Sequence, residues 1–218
     1  MSTRPRAIAF DFNGTLSDDE EILFGVYAGL FAEHDRPLGR AEYYADLAGL
    51  SEHEIVRAWL GDRDDLETIV RERIDRYRRA VTDGSTVSEP MRAAVRFAAS
   101  RVPVAVVSGA TRAEIEPVVA AAGLAGCFRT IVDDGDVAHG KPHPESYELA
   151  VSILARDAPG LAPAEVVAFE DTEAGVASAK AAGVHCIALA RTLPPDRLRL
   201  ADEIVEAVDE SLLRRLLG

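Results

Sequence analysis

The sequence predicts an α/β protein: a parallel sheet covered by helices on both faces, with an all-helical insertion after the first strand. Three observations carry this. From Ser88 onward short apolar runs alternate with helical patterns, the grammar of strand–helix–strand units around a parallel sheet. Residues 16 to 88 instead carry apolar side chains at three- and four-residue spacings, the period of amphipathic helices. Finally, three apolar runs stop abruptly in polar side chains: Ala7-Ile8-Ala9-Phe10 in Asp11, Val102-Pro103-Val104-Ala105-Val106-Val107 in Ser108, and Val166-Val167-Ala168-Phe169 in Glu170-Asp171.

The first run has the length and bounding of a buried strand. Gly14 follows it closely, where a glycine lets the backbone turn tightly and bring N–H groups to a ligand. Asp11 and Asn13, two residues apart on an extended chain, point the same way. On this stretch alone an ordinary strand end with an Asn-Gly turn reads equally well. Beyond Leu16 the pattern turns helical: Ile22, Leu23, Val26, Tyr27, Leu30 and Phe31, later Ile55 and Trp59, then Leu66, Ile69, Val70, Ile74 and Tyr77, with breaks at Gly39, Gly49 and Gly61. The segment from Arg71 to Arg79 reads as a solvated basic helix face.

Pro90 opens the next helix, which leads into the strand ending at Ser108-Gly109. Thr111 and Glu114 have capping-box spacing, and Gly123 stops the helix they start. A short strand, Thr130-Ile131-Val132, runs into Asp133-Asp134-Gly135-Asp136. Gly140-Lys141-Pro142-His143-Pro144-Glu145 then places proline and an acid at a helix entrance. The strand ending at Glu170-Asp171 is followed by a helix with a stop at Gly183, a strand over Cys186 to Ala190, and an edge strand at Ile204-Val205 before a C-terminal helix. The expected division is a core of residues 1–15 and 89–218 around a helical segment of residues 16–88.

Composition sets the outer limits. The 218 residues are 48% hydrophobic and 28% charged, enough to bury a core. The net charge of −13 argues against binding nucleic acid or an acidic membrane, which needs clustered Lys and Arg. An acidic protein that handles anions must do so locally, with a metal ion or a few placed donors. Cys127 and Cys186 are far apart and form no CxxC pattern, so neither a zinc site nor a disulfide framework is expected, which suits a reducing cytoplasm. The few apolar residues before Asp11 do not make a signal peptide, and no run approaches the roughly 18 apolar residues of a membrane span. Oligomeric state is left open. Only Lys141 and Lys180 are lysines, which by default reflects coding bias.

In a parallel sheet all carboxyl ends lie on one edge, where open α/β sheets bind ligands. That edge would gather Asp11, Ser108 and Glu170-Asp171. Asp11 and Asp171 are hard oxygen ligands of the kind Mg²⁺ prefers. Ser108 offers a hydroxyl donor and Lys141 a compact positive charge, while Gly14, Thr15 and Gly109 supply backbone N–H groups for phosphate oxygens. Together they describe an electrostatic clamp around a phosphoryl group, with Asp11 available as a carboxylate nucleophile. A lone lysine is ordinarily solvated; the rarity of Lys141 and its place between Gly140 and Pro142 favour the site.

These motifs resemble the haloacid dehalogenase-like hydrolases, in the branch with a helical cap after the first strand that holds phosphoglycolate phosphatases and β-phosphoglucomutase-like phosphatases. DFNGTL, VVSGA, GKPHPESY and FEDTEAGVASAKAAG match the family's four motifs in order, with Ser17-Asp18-Asp19-Glu20 and LRLADEIV extending the match. The resemblance implies a Rossmann-like core, a mobile cap over the sheet edge, and Mg²⁺-dependent phosphoryl transfer through an aspartyl-phosphate on Asp11. Ser108 and Lys141 would hold the phosphoryl group. Asp11, Asp171 and the backbone carbonyl of Asn13 would hold Mg²⁺, with Glu170 orienting that shell or ligating through water.

Asn13 departs from the pattern. The family's phosphatases carry there the acid that protonates the leaving group and then activates water. Asparagine can hydrogen-bond but cannot usefully exchange a proton, a loss of about a hundredfold to ten-thousandfold in rate; metal binding through the backbone survives. Two relatives also lack this acid. The phosphonate-cleaving type needs a cap lysine, and residues 16 to 88 contain none; true dehalogenases work without metal and lack the Glu170-Asp171 pair. A deliberate Asp-to-Asn exchange made to trap a complex would leave the same residue. A natural variant would be a slow phosphatase, one whose substrate has a good leaving group, or a catalytically silent binder of a phosphometabolite. Asp18, Asp19, Glu20 and His53 are conceivable replacement acids, though flap acids are more often solvated and a lone cap histidine inert. The stretch Leu47 to Glu54 resembles the substrate-reading loop and holds no Arg or Lys, so a doubly phosphorylated compound is not expected; Arg57 is the nearest substitute. The expectation is thus a Mg²⁺-dependent phosphohydrolase for a small phosphorylated metabolite, its turnover weak or leaving-group dependent.

Overall fold

The computed structural model describes residues 4–218. Its strands are β1 (Ala7–Phe10), β2 (Val104–Val107), β3 (Thr130–Val132), β4 (Val166–Glu170), β5 (His185–Leu189) and β6 (Glu203–Val205). They form one sheet in the order β3-β2-β1-β4-β5-β6, and every pairing is parallel. This is the α/β, Rossmann-like arrangement expected from the alternation of runs. It brings all six carboxyl ends to one edge, with the connections diverging between β1 and β4, where such sheets form their ligand crevice.

The two faces of the sheet differ in side-chain size. Ile8, Phe10, Val104, Val106, Val167, Phe169, Ile187 and Leu189 belong to one apolar cluster, with α5 (Glu89–Ala99), α6 (Arg112–Ala121) and α9 (Glu210–Leu217). Phe10 and Phe169, partners in register, stack at 5.0 Å. The alternate residues Ala7, Ala9, Ala105, Ala168 and Ala188 form the other face beneath α7 (Glu145–Leu154) and α8 (Glu173–Ala181). Small residues there leave room for the buried Tyr147 ring, which carries a hydroxyl towards the sheet edge. Local signals start these helices where the sequence places them. The Ser88 side chain accepts from Met91 N–H, Thr111 and Glu114 form the capping box, and Thr172 accepts from Gly175 N–H.

Between β1 and α5 the described chain is helical: α1 (Glu20–Ala32), α2 (Arg40–Glu42), a π turn over Tyr43–Leu47, α3 (Glu52–Leu60) and α4 (Leu66–Ala80). Tyr27, Phe31, Tyr43, Ile55, Val70 and Tyr77 join the same apolar cluster as the first sheet face, and α4 also packs on α6. One expectation fails here. Arg73 is not on a solvated basic face; it is 3% exposed. Helical spacing explains this, because Val70, Arg73 and Tyr77 lie on one stripe of α4, three and four residues apart.

Candidate active site

Asp11 leaves β1 with its backbone N–H still bonded to the Phe169 carbonyl at 2.9 Å, so its side chain emerges at the crevice between β1 and β4. Lys141 reaches it from the segment before α7. The ammonium donates to Asp11 Oδ1 at 2.6 Å, Glu170 Oε1 at 2.6 Å and the Val107 carbonyl at 2.9 Å. One lysine thereby ties the ends of β1, β2 and β4 together. Tyr147 donates its hydroxyl to the same Glu170 oxygen at 2.5 Å. The other oxygen, Oε2, is buried without a partner. Gly175 makes room for it, since a Cβ there would fall 1.9 Å from that atom.

Asp171 accepts from the Thr15 hydroxyl at 3.2 Å and from the Thr192 hydroxyl in a shorter contact. Gly14 is obligatory against it: its φ is +72°, and a Cβ would lie 1.9 Å from Asp171 Oδ2. Carboxylate oxygens of Asp11, Glu170 and Asp171 lie within 4.8 Å of one another. Burial is the main reason all three hold protons more tightly than usual. For Asp11 the Lys141 charge opposes that effect. Glu170 is pushed up to about 7 by burial and by Asp11, against the pull of Lys141. Asp171 is raised well above the ordinary range by burial, then by Asp11 and Glu20. Burial works against the Lys141 charge, yet Asp11 and Glu170 hold its affinity for the proton above normal. Three buried carboxylates with one ammonium, and one carboxylate oxygen unpartnered, form a hard-oxygen donor set that fits a divalent cation.

A cavity opens over these groups, lined at the sheet edge by Asp11, Asn13, Ser108, Gly109 and Lys141. Opposite stand Gly49, Leu50, Ser51 and Glu52, from the loop expected to read substrate, with Tyr27, Tyr43 and Arg73. The sequence-identified residues therefore converge, with Glu170 and Asp171 beside Asp11. Ser108 accepts from Ala110 N–H at 3.1 Å and keeps its own proton to donate. Of the backbone N–H groups expected to serve phosphate oxygens, that of Gly14 is taken by a side chain. The Gly14 N–H donates to Asp19 Oδ1 at 3.2 Å, and the Thr15 hydroxyl turns to Asp171.

The flap acids divide three ways. Asp18 is exposed, as expected. Asp19 is buried; it accepts from Asn13 Nδ2 at 3.0 Å, from Gly14 N–H and from the Tyr77 hydroxyl. Burial raises it to about 6 despite these donors. Glu20 lines the cavity and accepts from the Tyr43 hydroxyl at 3.2 Å; burial, then the Asp19 charge, push it to about 8. His53 and Arg57 stay outside the cavity, the first 3.2 Å from Glu67 and the second 3.9 Å from Asp62. The basic residue of the helical segment that does line it is Arg73, 3.4 Å from Glu52 and in closer contact with Glu114. Its place on the apolar stripe of α4 was the signal available in the sequence.

The haloacid dehalogenase-like hydrolase family matches residues 5–183, and the chain belongs to it. A validoxylamine A 7'-phosphate phosphatase from Streptomyces hygroscopicus subsp. limoneus is 28% identical, over 92% of this chain and 93% of its own. A phosphorylated carbohydrates phosphatase from Thermotoga maritima is 28% identical, over 83% of each chain. A mutant of CbbY from Rhodobacter sphaeroides, solved in complex with xylulose-(1,5)bisphosphate, superposes with a TM-score of 0.82 at 25% identity, covering 94% of this chain and 95% of that one. The expectation of a phosphatase of this family is borne out. Among the described residues no helix is long and apolar enough to cross a membrane.

Proposed function

We propose that the chain is a Mg²⁺-dependent phosphohydrolase that transfers the phosphoryl group of a small phosphorylated metabolite to Asp11. The observation that carries this reading is the Asp11–Lys141–Glu170 arrangement, two contacts of 2.6 Å at the floor of a cavity that also holds Ser108. The Lys141 charge favours the ionised, nucleophilic form of Asp11. Attack by that carboxylate on phosphorus forms the aspartyl-phosphate as the ester P–O bond breaks, and the leaving group departs with the bonding pair as an oxyanion that takes its proton from solvent. Lys141 and Ser108 hold the phosphoryl oxygens through both steps. Water then attacks phosphorus, releasing phosphate and restoring Asp11.

Asp11, Asp171 and the backbone carbonyl of Asn13 would hold Mg²⁺, with Glu170 orienting this shell or ligating through water. The ion when bound supplies positive charge against the phosphoryl group. The helical segment 16–88 serves as a cap on the core formed by residues 1–15 and 89–218, and the loop residues in the cavity wall support that role. The names of the Streptomyces and Thermotoga relatives support a small phosphorylated compound as substrate. The net charge of −13 speaks against nucleic acid, and the free thiols of Cys127 and Cys186 suit the cytoplasm.

Asn13 limits the leaving group. Without an acid at this position, esters of poor leaving groups turn over slowly, while aryl and acyl phosphates need little protonation. The test is hydrolysis of p-nitrophenyl phosphate or acetyl phosphate with and without Mg²⁺. Turnover that requires the ion and disappears in Asp11→Asn supports the reading, as does a phosphoryl adduct on Asp11 by mass spectrometry. Phosphate-ester binding without turnover across a broad panel would leave a phosphometabolite binder instead, and metal-free dehalogenation would overturn the assignment.

A further inference from the structure

We propose a second cation site, separate from the carboxylates at the sheet edge: His139, His143 and Glu145 bind a divalent transition-metal ion such as Zn²⁺, which staples the segment that carries Lys141. This goes beyond the phosphohydrolase reading and does not rest on it. His139 and His143 lie four residues apart between β3 and α7, with Glu145 two further on. The structure brings the three side chains together, one donor atom of each within 4.8 Å of the others. His139 Nδ1 stands 3.0 Å from Glu145 Oε2, and His143 Nδ1 stands 3.8 Å from the same oxygen. Ligands bound at about 2.0–2.1 Å to a tetrahedral ion sit about 3.3 Å from one another, so these separations bracket what the ion requires. A chance stack of two exposed rings has no reason to turn both Nδ1 atoms to one carboxylate.

The donor set chooses the metal. Two imidazoles and one carboxylate suit Zn²⁺ and its first-row neighbours, whereas Mg²⁺ prefers an all-oxygen shell. The carboxylate is fixed before any ion arrives: Glu145 Oε1 accepts from the Ala138 N–H at 2.9 Å, and Oε2 from the His139 N–H at 3.1 Å. The Ala138 N–H, then the His139 ring, hold Glu145 below the usual carboxylate range, so it meets a cation as an anion. Outer contacts of this kind orient a ligand for its metal. His143 is anchored through its carbonyl, which accepts from the Ser178 hydroxyl of α8 at 2.6 Å. The two rings pack with centres 4.8 Å apart and remain 68% and 50% exposed, so an ion reaches them from solvent and water completes its shell. On binding, a proton on His139 Nδ1 moves to Nε2, and the His143 Nδ1 lone pair leaves the Glu145 N–H, now 3.3 Å away, for the ion. The positive end of α7 opposes a cation here; the Glu145 carboxylate and the net charge of −13 favour one. Lys141 lies between the two histidines and reaches Asp11 and Glu170 at 2.6 Å. An ion held by His139, His143 and Glu145 closes a ring around Gly140-Lys141-Pro142 and restricts its motion.

The test is titration of the whole, untagged chain with Zn²⁺, read by calorimetry, and with Co²⁺, read by its visible absorption, both with Mg²⁺ in excess so that any all-oxygen site is filled. A single equivalent is expected to bind, with a Co²⁺ spectrum of nitrogen coordination. His139→Ala and His143→Ala should each weaken binding at least about tenfold, the scale on which metal sites respond to loss of a supporting group. Both rings are exposed, so the circular dichroism of these variants should match that of the parent. Asp171→Asn, at the sheet edge, should bind the ion as tightly as the parent does. With Zn²⁺ bound, amide hydrogen exchange over residues 139–143 should slow in the parent and not in His139→Ala. Absence of binding, or binding that survives when both histidines are replaced by alanine, overturns the site. Loss of binding in Asp171→Asn with retention in the histidine variants places the ion at the sheet edge and overturns it equally. Binding at the histidines without slower exchange overturns the staple.

Discussion

At Asn13 a single amide reorganises its surroundings. Its Nδ2 donates to Asp19 at 3.0 Å, and the same carboxylate collects the Gly14 N–H and the Tyr77 hydroxyl. Asn13 is therefore a donor that lets a buried acid remain tied to the turn after β1. An aspartate here would set carboxylate against carboxylate, and two such groups share one proton, one of them titrating far above the usual range. That is the form of acid the proposed reaction would use. Asn13→Asp is expected to raise kcat on alkyl phosphates by about tenfold or more, towards the hundredfold to ten-thousandfold of general acid–base catalysis. The gain on p-nitrophenyl phosphate should be much smaller, because its leaving group needs little protonation. The check is a pair of pH–rate profiles, in which the variant shows a new limb on alkyl substrates where the shared proton is lost. Equal gains on both substrate types would show that position 13 acts by something other than proton transfer.

Helix α4 links the helical segment to the core through one buried charge. Arg73 contacts Glu52 at the start of α3 and Glu114 on α6, with both carboxylates buried. Removing one partner of such a group leaves uncompensated charge in the interior, typically a loss of about 3 to 5 kcal/mol. Arg73→Met is expected to destabilise the protein on that scale at pH 8 and less at pH 5. The sign follows from Glu52, which burial raises to about 7 against the opposing charge of Arg73. Below that value it takes up a proton, and the orphaned negative charge is relieved. Urea unfolding at the two pH values checks this; an equal loss at both would mean that the carboxylates are not what Arg73 compensates. This element also shows where sequence reading stops. Strand ends such as Asp11 and Ser108 were legible because a local apolar run breaks at a polar residue. For Arg73 the apolar stripe of α4 gave a signal of burial, but the charges from Arg71 to Arg79 masked it, and the partner that makes burial tolerable, Glu114, lies 41 residues away on another helix. Asp19 was misread for a similar reason: its burial depends on Tyr77, 58 residues further on.

Across the whole molecule, the fold class was legible because strand–helix alternation is a local pattern, and parallel strands necessarily put their carboxyl ends on one edge. The order β3-β2-β1-β4-β5-β6 was not, since it depends on which strands pair after collapse. That order decides the electrostatics: β1 and β4 become neighbours, so Asp11 stands beside Glu170 and Asp171 in a protein already carrying a net charge of −13. Glu170 shows the consequence for stability. Its folded value of about 7 lies above the ordinary 4.5, so its favourable contribution is complete below 4.5 and is lost as pH rises through about 7. Metal-free protein should therefore lose stability across that window as negative charge accumulates at the sheet edge. Mg²⁺ should restore it. A ligand that binds only the folded state adds about 2.7 kcal/mol at a hundredfold excess over its Kd, and protons compete for the same oxygens. The rise in Tm on adding Mg²⁺ is thus expected to be larger at pH 8 than at pH 5.5, and to be abolished by EDTA. Asp171→Asn should do two things at once: raise the Tm of metal-free protein, by removing one of the crowded charges, and erase the Mg²⁺ response. A Mg²⁺ shift that survives in Asp171→Asn would place the cation elsewhere, whereas a variant less stable without metal would mean that Asp171 holds Thr15 and Thr192 more firmly than it repels its neighbours.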